Sequence, residues 1–403
     1  MSPREPSGAA SSSPARRKLR IAIFNRTFSS TGGGAERYSI ALVEQLAARH
    51  EIHVFAQQID HQWPGVFYHR VTAPLPKPRW INQLWFATAT WWATRRGYDV
   101  VHSHENTWHG DVQTVHVLPV KYNLFQGRTG WRRVLRWIKV ATNPRLLTYL
   151  GLERARYAAR PGRRIVVTSD SLRAIMAASY PACHACVSVI TPGITMPGFP
   201  VSPKRRREAR TLLGLPVDAR CLLFVGNDYR KKGLATLVSA LVQLPADVVL
   251  AVAGNPAHIP EFRRQADWLK LAHRVFFLGS LKDIGPAYEA ADCMVHPTLE
   301  DTFAMVVLEA MAYGLPVVVS SLQYCGISGL LQHTVNAMIL DDPTDGDNLA
   351  RLLHQVLGQQ KLQDQLTQGA REFASHYRWR KISLKQEALY FSVLSAKNAI
   401  NVR

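Results

Sequence analysis

Cysteine is scarce, and the few present do not suggest pairing. The five, Cys183, Cys186, Cys221, Cys293 and Cys325, are odd in number and scattered. That argues for a reducing compartment and against a disulfide framework. Cys183 and Cys186 form one C-x-x-C, but no second pair follows at zinc spacing, so it reads as a loop coincidence. His102, His104, His109 and His116 lie close together without a helical H-x3-H spacing, so no metal site is expected. No apolar run reaches the roughly 18 residues that a spanning helix needs. The nearest, Trp80–Ala93, has fourteen. The first fifteen residues lack the apolar stretch of a secretory signal, and residues 1–17 read as a disordered basic tail. Acids are also few: 29 Asp and Glu face 49 Lys and Arg, a net charge of +20. Such an excess predicts an anionic partner: nucleic acid, a membrane surface or a phosphorylated substrate.

What is present is a strand–helix alternation, twice over. In the first half, LRIAIFN, EIHVFAQ, VFYHRV, YDVVHSH, QTVHVLPV and RRIVVTS read as strands with helical segments between. Three glycines precede Ala35-Glu36-Arg37 and let the backbone approach a ligand between strand and helix. The stretch Thr191–Pro203 has four prolines and two glycines, which is linker chemistry. CLLFVGN, DVVLAVAGN, RVFFLGS, DCMVHPT and PVVVSS then restart the pattern. The alternation predicts α/β domains whose parallel sheets are covered on both faces.

Two stretches carry the chemistry. Arg230-Lys231-Lys232-Gly233 places three cations on a turn at a strand's C-terminal end, which is an anion site or else a basic surface turn. In HPTLEDTFAMVVLEAMAYGLPV, a strand leads through a polar break into a helix predicted over Phe303–Tyr313. Asp301 and Glu309 fall on one side of it, roughly 12 Å apart along its direction. Two such acceptors can hold hydroxyls at both ends of an extended ligand, with the amides up to Met305 free for a phosphate. Alternatively Asp301 caps the helix and Glu309 pairs with a buried arginine. Asp345-Gly346-Asp347 is a D-x-D in a late loop and reads as a helix N-cap.

Between Lys121 and Arg164 the chain holds twelve Lys or Arg and one acid, Glu153, with aromatics interleaved. Cations mixed with Trp and Leu on a helix suit an anionic membrane face. Nucleic acid is the rival, but no nucleic-acid-binding motif accompanies the charge. A solvated basic face is the plain alternative.

The spacing from Asp301 to Glu309, followed by AMAYGLPV, resembles the E-x7-E signature of the retaining GT-B glycosyltransferases of family 4. Asp301 stands where the signature has Glu, unless Glu300 takes that role. FVGNDYRKKGL resembles the family's donor-phosphate motif, with Asn227 in place of the usual Arg, and GGAER its glycine loop. That motif and ASYPACHACVSVITPGI are similar to the lipopolysaccharide-core glucosyltransferase branch. The resemblance implies a GT-B fold, two Rossmann-like domains facing a central cleft. We take 18–192 as the acceptor domain, 193–378 as the nucleotide-sugar domain and 379–403 as a helix crossing back. It implies Lys232 on the diphosphate with help from Arg230, Lys231 and the start of the helix at Phe303, Ala304 and Met305. Glu309 would meet the ribose, Asp301 and His116 the sugar, and Gly33 and Gly34 the phosphate side. His116 is otherwise a structural histidine at a strand edge. The implied reaction moves a hexosyl group, UDP-glucose being the first choice of donor, to a lipopolysaccharide-core or related glycolipid. It needs no cofactor and no metal. It would occur in the cytoplasm, on the inner face of the cytoplasmic membrane, with no nucleic acid involved. The competing reading is a noncatalytic lipid- or polysaccharide-binding protein on the same fold.

Overall fold

A computed structural model of the chain describes residues 17–29, 33–75, 77–198 and 200–401. The expected tail, apart from its last residue, and the first of the three glycines lie outside the described residues.

Seven strands form the first sheet: β1 (Arg20–Phe24), β2 (Glu51–Ala56), β3 (Val66–Arg70), β4 (Val100–Ser103), β5 (Val112–Val115), β6 (Arg164–Val167) and β7 (Val187–Val189). Their spatial order is β3-β2-β1-β4-β5-β6-β7, all parallel. The second sheet comprises β8 (Arg220–Val225), β9 (Val248–Ala253), β10 (Val275–Gly279), β11 (Cys293–His296), β12 (Val317–Ser320) and β13 (Met338–Leu340). Its order is β10-β9-β8-β11-β12-β13, again parallel. Both are Rossmann-like sheets that reverse beside their first strand, and ligands bind at that reversal, off the strands' C-terminal ends. The runs VVLAVA and VVVS are buried throughout, as strands covered on both faces must be.

Caps set the helix starts. Ser169 accepts from the Leu172 amide to open the helix Asp170–Ser179. Asp345 accepts from the Asn348 amide to open Gly346–Gly358, so the D-x-D is a cap. Glu153 is buried, and its carboxylate accepts from the Val120 and Lys121 amides at 2.6 and 3.0 Å and from the Tyr180 hydroxyl at 2.7 Å. The basic segment thereby loses its one acid to the interior.

The chain crosses between the two sheets twice, side by side. The Ile194 amide donates to the Tyr377 carbonyl at 2.7 Å, and the Trp379 amide to the Ile194 carbonyl at 3.2 Å. The last helix, Trp379–Asn401, then lies on the first domain. Ile382, Tyr390 and Val393 enter that domain's core beside Leu42, Val43 and Leu46. Each such buried side chain contributes roughly 1.5–3 kcal/mol. Among the described residues no helix is long and apolar enough to cross a membrane.

Candidate active site

The C-terminal ends of both sheets face one cavity of about 620 Å³. The first domain contributes Gly33 to Arg37, His116 after β5 and Thr168 after β6. The second contributes Asn227, Lys231 and Lys232 after β8, Gly254 after β9, Ser280 to Lys282 after β10, and Glu300 to Val306 after β11.

Lys232 sits at the centre. Gly233 follows it in the left-handed region at φ +76°, and this turns the chain so that Lys232 points inward. Its Nζ donates to Asp301 Oδ2 at 2.7 Å and to the Glu300 carbonyl at 2.9 Å. Arg230 turns outward. It lies outside the cavity lining and donates three hydrogen bonds to Glu261, with its Nη2 2.8 Å from Oε2. The expected help of Arg230 on the anion is therefore corrected: of three consecutive cations, the turn gives two to the cavity.

Asp301 is saturated by the protein. Oδ1 accepts from the Phe303 and Ala304 amides at 3.1 and 2.7 Å, and Oδ2 meets Lys232 and, at 3.2 Å, His296 Nε2. A carboxylate has about four acceptor sites. Burial alone would push this carboxyl up, but His296 and Lys232 outweigh it and hold it well below the usual range. The Asp301 turn also corrects the helix start. The helix runs Met305–Ala312, and Ala304 precedes it in the left-handed region at φ +67°. The amides of Phe303 and Ala304 are taken by Asp301, so the donors left at the helix start are those of Met305 and Val306, both on the cavity wall. The carboxylate of Glu300, beside it, engages only Lys231 Nζ among the described residues, at 3.1 Å, and the residue lines the cavity.

Glu309 lies one turn past the wall. Its carboxylate is held by Arg37 Nη1 at 2.9 Å and by the Tyr288 hydroxyl at 2.7 Å. Burial and the adjacent Glu309 push the Tyr288 phenol well up, so it stays a donor. This is the arginine-pairing alternative, except that the arginine is half-buried on the cavity wall rather than buried, and it comes from the opposite domain. The direct ribose contact expected of Glu309 is corrected accordingly, since the carboxylate is engaged and outside the lining. Two more contacts tie the domains here. Thr302 Oγ1 donates to the His116 carbonyl at 2.8 Å, and Ser169 Oγ to the Thr302 carbonyl at 2.7 Å. Gly34 packs against Met305, where an added Cβ would lie 3.7 Å from its sulfur.

Sequence reading missed Tyr288, His296, Thr302 and Lys282. His296 was visible as the one basic side chain in the strand CMVH, placed just before the Asp301 turn.

Behind His116, β4 and the loop that follows it carry two buried neutral histidines, His102 and His109. Burial pushes His102 and His116 down to about 3 and His109 down to about 4. An unfolded histidine binds protons from about pH 6.5 downward. Between these limits the unfolded chain takes up more protons, so stability falls as pH falls. Calorimetry should show Tm dropping steadily below about pH 6.5; a flat profile down to about pH 4.5 would contradict this. Among the described residues no group of three or more His, Cys, Asp or Glu is placed to hold a metal ion.

Comparison with known proteins gives this geometry a family. Residues 32–196 match the Glycosyltransferase Family 4 model, and residues 205–373 match the model described as glycosyl transferases group 1. A D-inositol 3-phosphate glycosyltransferase of Jonesia denitrificans is 25% identical over 431 aligned residues, covering 94% of this chain and 96% of that one. The enzyme of that name from Mycobacterium tuberculosis is 36% identical over 166 residues, which cover 40% of this chain and 34% of that protein. In structure, WaaG, a glycosyltransferase involved in lipopolysaccharide biosynthesis, superposes at TM-score 0.77 with 21% identity, covering 91% of this chain and 98% of that one. HepE of Anabaena, solved with UDP and glucose, gives TM-score 0.73 at 18% identity, covering 92% and 98%. The chain is a glycosyltransferase of GT-B type, with the family 4 model on its first half and the group 1 model on its second.

Proposed function

We propose that the chain moves a hexosyl group from a nucleotide diphosphate sugar, UDP-glucose first among them, to a hydroxyl of a lipopolysaccharide-core or related glycolipid, with retention of anomeric configuration. One observation carries the reading: Lys231, Lys232 and the start of the helix Met305–Ala312 converge on one cavity between two Rossmann-like sheets. Breaking the glycosidic bond leaves charge on the diphosphate, and preorganised cations and amides lower that barrier. They do this from the protein itself, so the reading assigns no metal and no cofactor. Glu300, with acceptor capacity to spare, takes the sugar hydroxyls, and Asp301 acts by holding Lys232 and the Ala304 turn in place.

The saturation of Asp301 favours one competing reading, a sugar-nucleotide binder without turnover. A thermal-shift panel of UDP-glucose, UDP-galactose, UDP-N-acetylglucosamine and GDP-mannose, followed by product analysis of any donor that binds, decides. Stabilisation of about 2.7 kcal/mol is expected at a hundredfold excess over Kd. No stabilisation by any of the four overturns the reading; binding without sugar release selects the binder.

The reading places the enzyme on the inner face of the cytoplasmic membrane. Helix Gly130–Ala141 exposes Trp131 (68%), Leu135 (54%) and Ile138 (55%), with Arg132, Arg133, Arg136 and Lys139 on the same helix. Trp91 and Trp92 of helix Arg79–Thr94 are exposed as well. Arg156 and Arg163 are buried against backbone carbonyls and do not belong to this face. Each cation near an anionic surface is worth about 1 kcal/mol. Replacing Arg132, Arg133 and Arg136 by Glu should weaken binding to phosphatidylglycerol vesicles by about a hundredfold or more. Unchanged vesicle binding, or equal affinity for random RNA at the same salt, counts against the assignment.

A further inference from the structure

We propose that His104 is a positioning residue. It fixes the tautomer of His116, so that His116 offers an Nδ1–H donor to the cleft. The two residues follow adjacent strands, β4 and β5. His104 Nδ1 lies 2.9 Å from His116 Nε2. The ring planes are 12° from parallel and the centroids 5.2 Å apart, the geometry of one imidazole bonded edge-on to another.

One proton lies in that contact, and two arrangements are possible. Burial keeps both rings neutral, so each carries a single N–H. If His116 donated from Nε2, the proton of His104 would sit on its own Nε2. That atom is buried with no partner among the described residues. Among the described residues no carboxylate bonds it; the His104 ring has the Tyr38 ring 5.8 Å and the His102 ring 4.3 Å away, centroid to centroid. His102 is itself spent on Tyr390 and Thr114. A sealed, unpaired N–H is rarer and costlier than a sealed lone pair. His104 therefore donates from Nδ1, and His116 keeps its proton on Nδ1. That nitrogen is not among the sealed, unpartnered atoms, and the residue lines the cavity.

His116 is thus a neutral donor to a ligand oxygen, not a base. That the oxygen belongs to the transferred hexose rests on the reading above; the tautomer does not. The test is 15N-histidine NMR on the full chain, with His116 identified by the resonances lost in His116→Gln. The expected pattern is a protonated Nδ1 and a bare Nε2 in His116 from pH 6 to 8. The reverse pattern, or an average of the two, overturns the proposal. Kinetics supply the second arm. His104→Asn keeps an amide donor near Nδ1 and should retain kcat within about threefold. His104→Phe should lose about 10–100-fold in kcat, the scale of losing the partner behind a functional imidazole, with donor KM little changed. Unmoved His116 resonances and full kcat in His104→Phe also overturn it. If no sugar nucleotide is turned over, the hexose reading fails while the NMR pattern still decides the tautomer.

Discussion

Replacing Lys232 by alanine should lower turnover about a thousandfold and leave the fold intact. Removing one preorganised donor from developing charge costs about 10²–10³ in kcat. Lys232 is the upper case, because its side chain is only 21% exposed and its ammonium acts away from screening water. Its loss also frees Asp301 Oδ2, which keeps only His296. The fold should survive, since Phe303 and Ala304 still hold Oδ1. Lys231→Ala makes the contrast: that side chain is 56% exposed and its partner Glu300 41%, so its effect should be several-fold smaller. The measurement is single-turnover kinetics with the donor found above, alongside thermal unfolding. A rate in Lys232→Ala near that of the wild type would remove the site from this cavity.

Gly233→Ala should be among the most damaging single changes to stability. The residue sits at φ +76°, where an L side chain costs about 1–2 kcal/mol. An added Cβ would also lie 1.9 Å from the Pro297 carbonyl oxygen. The Pro297–Thr298 segment must then move, and Thr298 Oγ1 bonds the Lys231 and Glu300 carbonyls, so both cavity loops go with it. We expect a loss of about 3 kcal/mol or more, seen in urea as a lower midpoint at unchanged slope. A change under about 1 kcal/mol would show that the Pro297 segment yields freely to an added methyl.

Much of this architecture was legible because parallel strands buried on both faces leave an unmistakable trace: apolar runs such as VVLAVA, bounded by turns and alternating with helices. The loops at their ends were legible for a related reason, since Lys232 and Asp301 are charges where apolar runs stop. What failed to show was direction and partnership. Arg230, Lys231 and Lys232 are equivalent in a linear reading; only the left-handed Gly233 decides which two face inward. The helix start was misplaced because Asp301 captures the Phe303 and Ala304 amides, and a side chain's choice of donor leaves no periodic mark. Glu309 was visible as a lone acid in an apolar helix. That its counter-ion is Arg37, at the other end of the chain, is a tertiary fact that no local pattern holds.

The closing helix bears on how such enzymes can be recombined. Since Tyr390 and Val393 complete the interior of the N-terminal half, a swap cut only near residue 193 would graft one protein's plug into another's socket. A workable hybrid carries residues 379–401 along with the N-terminal half, and so needs two junctions, both at the paired crossing of Ile194 and Trp379.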